Sequence, residues 1–197
     1  TDHGVLYAAI DFYQAARDKG IKPIIGCEVY VAPGSRLEKK SAGGRGGEYN
    51  HLLLLAKDEI GYKNLTKLCT VAHLTGFYYK PRIDKQILRE WNGGLIALSG
   101  CLASEVNQAI RVGSMDRARA VLEEYRSMFG DRYYVEIQDN HLAEQETANK
   151  ELIRLTQEQF RILDGLAENE RAIISGGAGT GKTLLAVEEA RRHAAQG

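Results

Sequence analysis

The stretch from His51 to Ala56 sets four leucines in a row, so it has no polar face at any period. A strand of this kind needs cover on both sides, which predicts a sheet packed between helices and of the parallel type. The neighbouring sequence supplies those helices. Val5, Leu6, Ala9, Ile10, Tyr13 and Ala16 recur at helical spacing, and Gly20 stands where a left-handed cap would end the helix. Leu65, Leu68, Cys69 and Ala72 form a second stripe, and Ala118, Val121, Leu122, Tyr125, Met128 and Phe129 a third, closed by Gly130. Short apolar runs alternate with them: Ile21 to Val31, Gly94 to Leu98 and Tyr133 to Ile137, the last followed by a helix over about 143–155. Strand and helix in alternation give an α/β class, a barrel or a doubly wound sheet, with function at the carboxyl ends of the strands.

Bulk properties narrow the function classes only slightly. Twenty-six basic residues balance twenty-six acidic ones among 197, so no global field marks a nucleic-acid binder. No apolar run is long enough to span a membrane, and none is expected. Cys27, Cys69 and Cys101 are odd in number and dispersed, which argues for a reducing, cytoplasmic setting rather than a disulfide framework. Pro33 to Gly47 lacks periodicity and reads as a mobile surface loop. Its Arg36, Lys39, Lys40 and Arg45 lack interleaved aromatics and so suit solvent better than nucleic acid.

Asp2, His3, Glu28, His51 and Cys101 lie far apart in the chain, yet each falls where a strand hands over to a loop. Carboxylate, imidazole and thiol donors together suit zinc or a related divalent ion. Cys27 and Cys69 read as core residues, and His73, His141 and His193 as surface residues without a ligand role. No catalytic residue is assigned.

The strings TDHG at Thr1, GIKPIIGCEVYVAPGSR from Gly20, HLLLLAKDEIGYKNL from His51, GFYYKPRID from Gly76, GLIALSGCLASE from Gly94 and DRYYVEIQD from Asp131 resemble one family in order. It is the polymerase-and-histidinol-phosphatase (PHP) domain of bacterial replicative DNA polymerase III alpha subunits. The resemblance covers about residues 1–155. It implies a distorted α/β barrel with a cluster of divalent ions, and phosphoester hydrolysis of the 3′–5′ exonuclease type. Ligand roles pass to His3, Glu28, His51 and Cys101, with Glu28 the bridging carboxylate and Asp2 a neighbour in the same motif. DNA and other replisome subunits would be partners of the parent polymerase, in the bacterial cytoplasm. Two of the family's pairs are not met where the resemblance implies them: a His-x-His strand upstream of TDHG, and an Asp-x-His pair after a strand following the helix that ends near Leu155. The expectation is therefore an incomplete barrel with a partial metal site and little exonuclease activity.

A second motif follows. Gly176, Gly177, Ala178, Gly179, Thr180, Gly181, Lys182 and Thr183 satisfy the P-loop pattern between a strand (Arg171 to Ser175) and a helix (Leu184 to Ala195). Its amides would cradle phosphates, Lys182 reach the outer ones and Thr183 ligate Mg²⁺. From Leu155 the chain resembles the first segment of superfamily 1 helicase-like ATPases, which implies adenine reading by Gln159. ATP with Mg²⁺ would bind at most, since no Walker B carboxylate follows. This divides the chain into a PHP-like segment, 1–155, and a P-loop segment, 156–197. The primary reading is a piece of the polymerase subunit; the alternatives are a nucleotide-binding motor piece or a chimeric remnant without catalysis.

Overall fold

The computed structural model describes residues 1–39, 48–139, 142–163 and 172–176. They form two compact units, Thr1–Tyr134 and Val135–Gly197. In the first, β1 (Asp2–His3) leads to α1 (Ala9–Asp18), β2 (Gly26–Val31), β3 (Asn50–Ala56) and α2 (Glu59–Leu74). Then come β4 (Arg82–Ile83), α3 (Lys85–Glu90), β5 (Leu95–Leu98), α4 (Glu105–Arg111), α5 (Met115–Phe129) and a turn of 3₁₀ helix. The start of β6 (Tyr133–Asp139) closes this unit. The class is α/β and the sheet is open.

The strand order is β1, β2, β3, β5, β6, with β4 joined to β2 beyond the end of β1. Contrary to the parallel sheet expected, β3 runs antiparallel to both neighbours, pairing Glu28 with Leu53 and Leu53 with Leu98. Side chains alternate across the pleat, so Cys27, Val29, Val31, Leu52, Leu54 and Ala97 share one face and are buried there. The α2 stripe of Leu65, Leu68, Cys69 and Ala72 is buried with them, and the Cys27 and Cys69 thiols meet. On the opposite face Leu53 and Leu55 are only half-buried. The four leucines therefore have one sealed side rather than two.

Other expectations shift in the same way. The strand drawn from Ile21 begins only at Gly26, because Pro23 has no N–H for a ladder, and Ile21 and Ile24 stay exposed. In α1 only Ala9 is buried, while Ile10 and Tyr13 of the expected core stripe face solvent. The helical period is real, but nothing among the described residues covers that face. The loop after β2 is anchored in its described part: the Arg36 N–H and guanidinium donate to Asp84, and Arg82 donates to the Arg36 and Glu38 carbonyls. Fully buried Asp84 recruits Arg36 as its counterion, so Pro33–Lys39 is fixed, while Lys40 and Arg45 lie outside the described residues.

Between α3, α4 and α5 sits a second ionic knot. Lys85 Nζ is 2.8 Å from Glu105 and 2.7 Å from Glu124, which also pairs with Arg89. Tyr125 and Tyr133 stack beside it, and burial pushes both phenols above their ordinary range.

In the second unit, Val135 to Asp139 of β6 pairs in parallel with β7 (Ala172–Gly176). The helix α6 (Ala143–Leu163) connects them and buries Ala148, Leu152 and Leu155. It continues past the expected end at Leu155 without a break, since Gln157, Glu158 and Gln159 are good helix formers. Asn149 donates to the Gln138 carbonyl at 2.7 Å, which ties helix to strand.

Candidate metal centre

The antiparallel course of β3 is what assembles the site. A strand that runs backward starts beside the carboxyl ends of its neighbours, so His51 at the head of β3 lies by the ends of β2 and β5. Register does the rest: His3 pairs with Glu28, and Glu28 with Leu53, two residues from His51 on the same face.

His3, Glu28 and His51 each offer a ligand atom, and these atoms lie within 4.8 Å of one another. His3 Nε2 is 3.2 Å from Glu28 Oε2, while His51 Nδ1 contacts Oε1. Cys101 Sγ stands 3.6 Å from His51 Nδ1 and 3.9 Å from Glu28 Oε1. The cysteine arrives on a tight loop after β5, where Gly100 takes a left-handed φ of 78°. Its carbonyl accepts from Ser104 N–H and Asn107 Nδ2, both at 2.9 Å, and Ser104 caps α4.

Asp2 does not join them. It pairs with Cys27, hence on the opposite face from His3, and its Oδ2 accepts the Ala8 N–H at 2.9 Å. Cys27 and Cys69 are core, as expected. His73 is exposed, with Nε2 3.0 Å from the Gly4 carbonyl. Of the P-loop, Gly176 ends β7; Gly177, Ala178, Gly179, Thr180, Gly181, Lys182, Thr183 and the Gln159 side chain lie outside the described residues, as do His141 and His193.

The electrostatics of the cluster favour positive charge. A hydrogen bond from His51 outweighs burial and holds the Glu28 carboxyl below its ordinary range. Cys101 and then Glu28 push the His51 imidazole up to about 9. Acceptors crowd around a point where positive charge is favoured, and the donor set of imidazole, carboxylate and thiol fits a divalent ion of borderline softness.

Sequence reading passed over Tyr30 and Tyr49. Tyr30 pairs with His51 and crosses its ring edge-on at 5.2 Å, and Tyr49 stacks on the same ring at 5.9 Å. Both stand two residues from a ligand, a spacing of period two that would have placed them on the ligand face.

The class defined here is an open α/β sheet domain with histidine, glutamate and cysteine gathered at one end, a set of donors that could hold a metal ion. Residues 1–140 match the PHP domain, and the chain belongs to that family. It is similar to the DNA polymerase III subunit alpha of Thermus aquaticus, 53% identical over 152 residues, which are 77% of this chain and 12% of that protein. The subunit of Chlamydia pneumoniae is 41% identical over 189 residues, 96% of this chain and 15% of the relative. That of Deinococcus radiodurans is 43% identical over 191 residues, 95% of this chain and 14% of the relative. The chain thus spans about one-seventh of these proteins, and in the last two the match runs on past Leu155. No helix among the described residues is long and apolar enough to cross a membrane.

Proposed function

We propose that this chain is part of a bacterial DNA polymerase III alpha subunit and that His3, Glu28, His51 and Cys101 hold a divalent cation, zinc foremost, for phosphoester hydrolysis at a DNA 3′ end. The observation that carries this is the convergence of three ligand atoms within 4.8 Å from three neighbouring strands. A cation held there would supply Lewis acidity, acidifying water and offsetting charge on a phosphoester. The chain's own residues do the positioning. Glu28 binds both imidazoles and keeps them aimed at one point, while Tyr30 and Tyr49 fix the His51 ring. His3, whose side chain is 59% exposed, marks the side open to substrate. Asp2 shapes the turn from β1 into α1 and stays out of the coordination. In this reading DNA and the other replisome subunits are partners of the longer polypeptide, in the cytoplasm.

Elemental analysis of the purified chain after dialysis tests the reading. Zinc or manganese is expected to stay with the unmodified chain and to be lost from Glu28→Gln; a metal-free unmodified chain would sink it. Cleavage of a 3′-mismatched oligonucleotide, dependent on the added metal, would extend it to the reaction.

A second reading concerns residues 156–197. The strand Ala172–Gly176 leads directly into the GGAGTGKT string, the order in which a P-loop presents its amides to phosphate. We infer a nucleotide-phosphate site there, for ATP with Mg²⁺. A fluorescent ATP analogue should bind and be released by Lys182→Ala; equal binding by both would remove this reading.

A further inference from the structure

The segment GFYYKPRID, from Gly76, joins α2 to α3 through β4 and contributes no ligand to the metal cluster, yet it is built with unusual care beside it. Its ends close on each other: Arg82 donates to the Gly76 carbonyl through both its backbone N–H and Nε. A Cβ on Gly76 would fall 1.8 Å from the Arg82 carbonyl oxygen, so only glycine permits the closure. Arg82 is itself buried and lies 5.1 Å from the Tyr78 ring. Tyr78 and Lys80 bridge across the tip, which forces Tyr79 to a φ of 58°, the one left-handed residue other than glycine among those described. Such a conformation is costly for a tyrosine and persists only where the surroundings impose it.

What the closed turn displays is an aromatic ring and a cation. Tyr79 is 64% exposed, and its ring meets Tyr78 edge-on at 4.7 Å, which leaves a face to solvent. Lys80 Nζ stands 5.5 Å from the centre of the Tyr30 ring, the same ring that crosses His51. The lysine is therefore one aromatic ring away from the metal cluster, with no carboxylate partner among the described residues. Phe77, also exposed, adds a further ring to the approach. Lone exposed aromatics are ordinary. Here aromatic and basic residues are interleaved on a rigid turn next to a phosphoester site, the combination that binds single strands by stacking and by phosphate contact.

We propose that the turn from Phe77 to Lys80 is a subsite for single-stranded DNA, with Tyr79 stacking on a base and Lys80 contacting the phosphate one step from the metal cluster. This rests on the phosphoester reading above. Arg36 is not part of that surface, because it is spent on Asp84.

The test is fluorescence anisotropy of a labelled oligo-dT of about eight nucleotides on the full chain, across a salt series. Tyr79→Gly suits the purpose, since glycine accepts the left-handed φ and the turn survives. It is expected to weaken binding roughly tenfold, with zinc content unchanged and the urea midpoint no lower. Lys80→Gln should weaken binding a few-fold and reduce the slope of log K against log salt by about one. If both variants bind like the unmodified chain, or if the unmodified chain binds no oligo-dT, the subsite is wrong. The zinc content of the dialysed, unmodified chain separates the two ideas: a metal-free chain that still shows the Tyr79 and Lys80 effects would sink the metal reading and leave the subsite standing.

Discussion

Lys85 and Glu28 each stand at the centre of a knot of ionisable side chains in the same unit, and the knots are finished differently. Around Lys85 a fixed cation sits between Glu105 and Glu124, with Arg89 on the far side of Glu124, so charges balance without help. Around Glu28 the neighbours are His3, His51 and Cys101, which carry no fixed positive charge. There the positive charge must come from a proton on an imidazole or from an ion. A closed ionic knot between helices is architecture; an open one at strand ends is a place for a ligand.

The largest expected effect breaks the closed knot. Lys85→Met leaves Glu105, whose side chain is only 11% exposed, without its cation, and should cost about 3–5 kcal/mol in urea unfolding. Zinc affinity should stay as it was. The same variant sharpens the acid side of the comparison. Burial alone would raise the Glu124 carboxyl, but Lys85 and Arg89 hold it below its ordinary value of 4.5. A carboxyl lowered in the folded state stabilises fully above pH 4.5 and loses that contribution as pH falls through the folded value. Unfolding midpoints of the unmodified chain should therefore drop below pH 4.5, and more shallowly in Lys85→Met. Equal slopes would show that this knot does not govern acid stability.

Glu28→Gln inverts the pattern. It keeps the shape of the side chain but removes the negative charge that both imidazoles contact, so zinc affinity should fall by about two orders of magnitude, ~2.7 kcal/mol. Folding stability without metal should change by less than about 1 kcal/mol, since the group is only part-buried. A competition titration against a chromophoric chelator reads the first, urea unfolding the second. Should affinity persist while stability collapses, the Glu28 cluster would be architecture as well.

Much of this contrast was legible in the residues themselves. His3, Glu28, His51 and Cys101 could be proposed together because the family strings carry them in order, and the α2 and α5 stripes declared themselves by period. The reversal of β3 could not be read, because a run of four leucines is silent about direction and about which face is covered. That silence also hides why His51, at the head of its strand, comes beside the carboxyl ends of β2 and β5. Asp2 shares a motif with His3, but neighbours on a strand point to opposite faces, so only His3 reaches the cluster. The Lys85 knot joins α3, α4 and α5, and pairing across that much sequence leaves no local trace.

The smallest effect tests whether the open knot depends on distant support. Ser104 Oγ accepts the Asn107 N–H and caps α4, whose first turn also holds the Cys101 carbonyl. Asp58 caps α2 in the same manner, accepting the Gly61 N–H at 2.8 Å, and no hydrogen bond links it to the cluster. Either residue changed to alanine should cost about 1 kcal/mol of stability through the lost cap. Only Ser104→Ala should also weaken zinc binding, by a few-fold, because only that cap steadies the loop that brings the thiol to His51. If Asp58→Ala weakens zinc equally, Cys101 placement follows global stability rather than the α4 cap. If neither does, the loop is fixed by Asn107 and the Gly100 turn alone, and the thiol's contribution to affinity would have to be read from Cys101→Ser.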